Sequence, residues 1–121
     1  LKIFNAIVDK KLNEVEIKWR NLSACTIVLA SAGYPEKAEK GKTISGIGDA
    51  EQDKDIVIFH AGTKKDGENL ITGGGRVLGV SATGENLQRA LEKAYQAIKK
   101  INFEGMQYRR DIGKKALSLK N

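Results

Sequence analysis

The chain has one histidine, one cysteine, one proline, one methionine and seven aromatic residues among its 121, and each scarcity removes a class of function. With His60 and Cys25 as its sole nitrogen and sulfur ligands of that kind, it cannot build a zinc-type site. A lone cysteine closes no internal disulfide, which suits a reducing, cytoplasmic setting, and Cys25 inside an apolar run reads as a buried, inert thiol. Sparse aromatics leave few platforms for stacking bases, which weakens a single-strand or RNA-binding reading. No apolar run approaches the length of a membrane span, and no secretory signal is visible. The opening segment lacks both an N-cap and an initiator methionine, so the chain reads as a piece of a larger protein that starts inside an element.

What is present suffices for one domain. Apolar residues make up 40% of the chain, enough for a core. The formal net charge is +6, and most of it is local: from Lys99 onward seven basic residues stand against two acidic ones. Such a segment suits nucleic acid, a phosphorylated substrate or an acidic neighbouring domain, and its commonest explanation is a solvated face.

The spacing of Leu1, Phe4, Ile7, Val8 and Leu12 predicts a helix over residues 1–12. Val15, Ile17 and Trp19 alternate with Glu16 and Lys18, predicting a half-buried strand. Residues 24–30, ACTIVLA, predict a strand buried on both faces, ended by the loop that Pro35 forces. Residues 36–42 are charged and exposed, 44–47 a brief extended piece, and 48–55 a polar connector. Residues 56–59 predict another buried strand. Asn86 is placed to cap a helix running to Ile101, whose one face carries Leu87, Leu91, Ala94, Ile98 and Ile101. Apolar residues within 103–113 read as anchors for the end of the chain. Strands in the middle and helices at the ends give an α+β fold with a mainly antiparallel sheet and flanking helices.

The stretch 59–83 holds the least ordinary chemistry. Two strand-like runs, IVIFH and VLGVSA, flank a loop with Asp66-Gly67 and read as a hairpin. Between them lie three consecutive glycines, Gly73, Gly74 and Gly75, followed by Arg76. Glycines admit positive φ and let a ligand approach backbone amides, and a guanidinium beside such amides can grip phosphate or carboxylate. A flexible turn beside a solvated arginine is the plain alternative.

Other motifs fail on their spacing. Gly41-Lys42-Thr43 lacks the earlier glycine of a phosphate-binding loop, since Glu36 stands there. After Gly75 comes a β-type run where a dinucleotide fingerprint needs a helix. Nucleophilic catalysis through a histidine would have to use His60; neither spacing nor an elbow motif ranks Ser31, Ser45 or Thr63 as its partner, and histidine at a strand end is commonly structural. Asp49, Glu51, Asp53 and Asp55 lack the glycine and distal glutamate of a calcium loop. Taken alone, these residues describe an α+β domain with one possible anion site.

Four segments in order, VLASAGYPEKAEKGKTISG, VIFHAGTKKDG, ITGGGRVLGVSATGENLQRALEKAY and INFEGMQYRRDIG, resemble the carboxy-terminal region of the phosphoribosylamine–glycine ligase family, also called glycinamide ribonucleotide synthetase. The resemblance implies an ATP-grasp enzyme of purine biosynthesis. The whole enzyme would join glycine to 5-phosphoribosylamine through a glycyl phosphate, with ATP and magnesium or manganese. It implies that the ATP and metal sites lie upstream, that this chain binds neither cofactor, and that alone it is inactive. Residues 1–14 would then be the helical tail of the ATP-grasp core. Residues 15–121 would be the C-terminal domain, shared in outline with biotin carboxylase. Its expected partners are the upstream domains, glycine and 5-phosphoribosylamine, with no nucleic acid and no membrane, in a monomer. Related enzymes grip the ribose 5-phosphate with a basic pair in this domain. The matching corner here is Arg76 with the Gly74 and Gly75 amides, Thr63 and Lys64 at the other end of the hairpin, and His60 at the border together with the Ser31–Tyr34 loop. Two other classes compete. A nucleic-acid module would require steeply salt-dependent binding. A biotin carrier would require a lysine beside Met106, and none is adjacent.

Overall fold

A computed structural model describes residues 1–119. Its centre is a three-stranded antiparallel sheet in the order β1 (Ser23–Ala30), β5 (Arg76–Gly84), β2 (Ile56–His60). Ile27 lies opposite Val80, and Val80 opposite Ile58, so these β-branched residues line up across one face. Helix α3 (Leu87–Ile98) packs on that face and buries Ala90, Leu91, Ala94, Ala97 and Ile98. The amphipathic spacing places α3, which ends at Ile98, three residues before the expected Ile101. Asn86 caps it through a 2.9 Å bond that its side chain accepts from the Arg89 amide. Replacing Asn86 by Ala is expected to cost about 1 kcal/mol of stability, read as a lower urea midpoint with an unchanged slope.

Strands β2 and β5 are antiparallel neighbours, yet no tight turn joins them. A separate hairpin is inserted between them: β3 (Thr63–Asp66) and β4 (Asn69–Thr72) pair with each other as a two-stranded sheet, and Ile71 of β4 also bridges to Thr43. The Asp-Gly signal belongs to this small hairpin, with Gly67 at φ 57°. The segment after α3 then laces the domain together. Asn102 bridges to Ser45, Gln107 bridges to Ala30, and Phe103 between them is 2% exposed in the core. A short helix, α4 (Lys114–Ser118), follows.

Several expectations need correction. The first helix, α1 (Lys2–Val8), ends a turn earlier than its apolar spacing predicts. Lys10 adopts φ 57°, and the Lys11 amide donates back to the Ala6 carbonyl at 2.8 Å, a left-handed stop that terminates helices. Residues 15–19 form no strand, because no neighbouring strand offers them a ladder, and Trp19 is 89% exposed. β1 and β2 are buried on one face, not two: Val28, Val57 and Phe59 are all exposed. α3 covers the opposite face, where Ile27, Leu29, Ile56 and Ile58 point. Ile47, expected to end the extended piece, and residues 48–50 of the expected connector form α2 (Ile47–Ala50). Cys25 is half-buried, and burial raises its thiol pKa, consistent with an unreactive thiol. Among the described residues no helix is long and apolar enough to cross a membrane.

Candidate functional site

Arg76 owes its position to a bulge. Leu29 pairs with Leu78 but Ala30 pairs with Arg76, so Val77 has no opposite number on β1. Strict alternation from Leu78 would send Arg76 to the inner face, beside Val80 and Ala82. The extra residue shifts the phase: Val77 is fully buried, and Arg76 emerges exposed on the open face with Val28 and Ala30. Those three residues line a cavity of about 420 Å³, completed by Tyr34, Gln107, Tyr108 and Arg109.

The glycines before Arg76 serve close approach more than unusual φ, since none of Gly73, Gly74 and Gly75 lies in the left-handed region. A Cβ on Gly75 would stand 2.4 Å from the Tyr34 ring, so Gly75 lets that ring lie against the backbone. A Cβ on Gly62 would stand 2.4 Å from the Arg76 carbonyl, so Gly62 lets the two ends of the inserted hairpin meet. Ser31, 2% exposed, holds the corner from beneath. Its hydroxyl donates to the Gly74 carbonyl at 2.9 Å, and its amide donates to the Gly75 carbonyl at 2.9 Å. In a planar trans peptide the Gly75 N–H points opposite to the Gly74 carbonyl, and so away from Ser31. Among the described residues neither the Gly74 nor the Gly75 amide donates to a backbone carbonyl.

Two guanidiniums therefore share one cavity, in different states. Arg76 forms no ion pair among the described residues. Arg109 is gripped in a fork by Asp111, with Nε to Oδ1 at 2.9 Å and Nη2 to Oδ2 at 2.7 Å. The hydrogen bond from Arg109 holds the Asp111 carboxyl below the usual carboxylate range. Tyr95 donates its hydroxyl to the Arg109 carbonyl at 3.0 Å, which fixes the backbone there. Positive charge over an apolar floor suits an organic anion: a phosphate or carboxylate at the guanidiniums, with the uncharged part against Val28 and the rings.

The structure brings Arg76, Gly74 and Gly75 together, with Tyr34 from the bordering loop. Lys64 reaches the corner through its aliphatic stem, which lies over Gly73. His60 and Thr63 bond to each other at 3.0 Å between His Nδ1 and Thr Oγ1. Of the predicted site residues Arg76 lines the cavity, together with Tyr34 of the bordering loop; His60, Thr63, Lys64, Gly74 and Gly75 do not. Residue-by-residue reading missed Gln107 and Tyr108, and it took Arg109 as part of a basic tail. The Tyr108-Arg109-Arg110 run was the available signal. A larger groove of about 610 Å³ between α3 and the chain end has a rim of mixed sign, with Glu92 and Asp111 beside Lys99 and Arg110. Among the described residues no three His, Cys, Asp or Glu side chains converge where a metal ion could sit.

Comparison with known proteins places this geometry. Residues 24–115 match the family model described as phosphoribosylglycinamide synthetase, C domain. Over 117 residues the chain is 43% identical to phosphoribosylamine–glycine ligase of Synechocystis sp., covering 96% of this chain and 28% of that protein. Over 118 residues it is 43% identical to the bifunctional purine biosynthetic protein purD of Dictyostelium discoideum, covering 97% of this chain and 14% of that protein. The crystal structure of phosphoribosylamine–glycine ligase from Thermotoga maritima superposes with a TM-score of 0.71 at 36% identity, over 89% of this chain and 27% of that one. The chain thus spans 14% to 28% of the length of these relatives.

Proposed function

The chain belongs to the phosphoribosylglycinamide synthetase C-domain family, and from that premise we propose that it acts as the carboxy-terminal domain of a phosphoribosylamine–glycine ligase in purine biosynthesis. In this reading the chain supplies one wall of the active site of a larger cytoplasmic enzyme, a monomer in which upstream domains complete the site. Residues 1–14 would belong to the preceding unit and residues 15–121 to the C domain. The exposed Phe4 and Val8 on α1, and a family match that begins at residue 24, support that division.

The observation that carries the proposal is the bulge-directed Arg76 beside the unbonded Gly75 amide, with Arg109 in the same cavity. The role assigned to these groups is to hold the 5-phosphate of phosphoribosylamine, a dianion remote from the reacting amine. Binding energy gained at such a remote group orients the amine and need not come from the reacting atoms. Among the described residues no three His, Cys, Asp or Glu side chains converge, and in this reading ATP and its metal ion are held by the upstream domains. No ATP step is assigned to this chain.

The experiment is an assay of glycine-dependent ADP release with phosphoribosylamine. The full-length enzyme is expected to turn over and the 121-residue chain alone to show no activity. Turnover by the chain alone would place the ATP site here and overturn the reading.

A further inference from the structure

We propose that Gln107 is the positioning residue of this site, resting on the reading of the cavity as the phosphate grip. Its backbone amide donates to the Ala30 carbonyl at 2.9 Å, and its carbonyl accepts from the Ala30 amide at 2.8 Å. Its side-chain amide then reaches past β1 and donates to the Ser31 carbonyl at 2.7 Å and the Tyr34 carbonyl at 3.3 Å. One residue from the chain's end thus closes the loop that follows β1.

That loop sets the glycine corner. Ser31 holds the Gly74 and Gly75 carbonyls, and the Tyr34 ring lies against Gly75. On its other side Gln107 leads directly into Tyr108 and Arg109, the opposite wall of the cavity. Gln107 therefore fixes the spacing between the two walls, and with it the separation of Arg76 from Arg109. A glutamine suits this task because its amide carries two donors on a side chain long enough to span two carbonyls of one turn, and it adds no charge beside the guanidiniums. Phosphate contacts depend on donor placement, so a loosened corner should weaken the grip while the groups that make it remain.

The test is steady-state kinetics of the full-length enzyme carrying Gln107→Met or Gln107→Glu. The methionine keeps length and volume but loses both donors; the carboxylate also loses them and sets a negative charge against two carbonyls. Gln107 is exposed, so neither change opens the core. In both variants the KM for phosphoribosylamine is expected to rise about tenfold, with kcat and the KM for ATP within about twofold. An unchanged phosphoribosylamine KM, or an equal rise in every KM, overturns the proposal. Arg76→Ala measured alongside separates the failures. If its loss is selective for phosphoribosylamine and that of the Gln107 variants is not, the positioning role fails and the phosphate site stands. If the Arg76 loss is itself unselective, both fall.

Discussion

Removing the Arg76 guanidinium from the full-length enzyme is expected to raise the KM for phosphoribosylamine about tenfold to a hundredfold, with the KM for ATP nearly unchanged. The size follows from a charge-assisted hydrogen bond, whose loss costs about 1.5–3 kcal/mol. The selectivity follows from the proposed role: Arg76 would hold the phosphate of phosphoribosylamine, while ATP is expected on the upstream domains. Arg76→Lys should recover part of the loss, because an ammonium keeps the charge but not the planar fork. Added salt should weaken phosphoribosylamine binding more in the wild type than in the alanine variant, since the exposed charge being screened is missing from the latter. Arg109→Ala should cost less, because Asp111 already occupies two of its donors. Equal rises in both KM values for Arg76→Ala would mean that the residue supports the fold, and the anion site would have to be sought elsewhere.

How much of this was legible in the sequence depends on what each feature rests on. α3 announced itself because apolar spacing and the Asn86 cap are local, and the structure keeps both. The strands announced themselves less fully. ACTIVLA is apolar at nearly every position, so its alternation is hidden, and nothing local reveals that α3 covers one face while Val28 stays open. The converse holds for residues 15–19, where alternation is clear but no strand among the described residues pairs with them. Asp66-Gly67 was read correctly as a turn and attached to the wrong pair of strands, since a short polar hairpin such as TKKD and NLIT carries little hydrophobic signal.

The site divides the same way. Arg76 and the glycines are proposed from chemistry, because a guanidinium beside glycine amides is a local pattern. Glycine chemistry alone points to positive φ or to ligand approach, whereas Gly73 and Gly75 admit the Lys64 stem and the Tyr34 ring without adopting positive φ. Gln107 and Arg109 reach the cavity through long-range pairing with Ala30, and Arg76 faces it through a register shift. Neither the pairing nor the shift leaves a mark on adjacent residues.

The largest effect on stability is expected at Phe103. Phe103→Ala should destabilise the chain by about 3–5 kcal/mol, a large share of the roughly 5–15 kcal/mol that holds a typical domain. The ring is 2% exposed and belongs to the cluster that includes Ile98, Ile101 and Leu29. The neighbouring bridges, Ser45 to Asn102 and Ala30 to Gln107, hold the backbone on both sides and limit how far it can collapse into the void. In thermal unfolding the midpoint should fall by about 10–20 °C, and Phe103→Leu should recover most of the loss because it restores volume. A shift of less than about 3 °C would show that the tail does not depend on this anchor. Phe103 also differs from Arg76 in its kinetic consequence. Below the lowered midpoint the full-length Phe103→Ala enzyme should lose activity through its folded fraction, with KM values close to wild type, whereas Arg76→Ala should keep its fold and lose affinity. The comparison therefore separates what holds the cavity wall in place from what the wall binds.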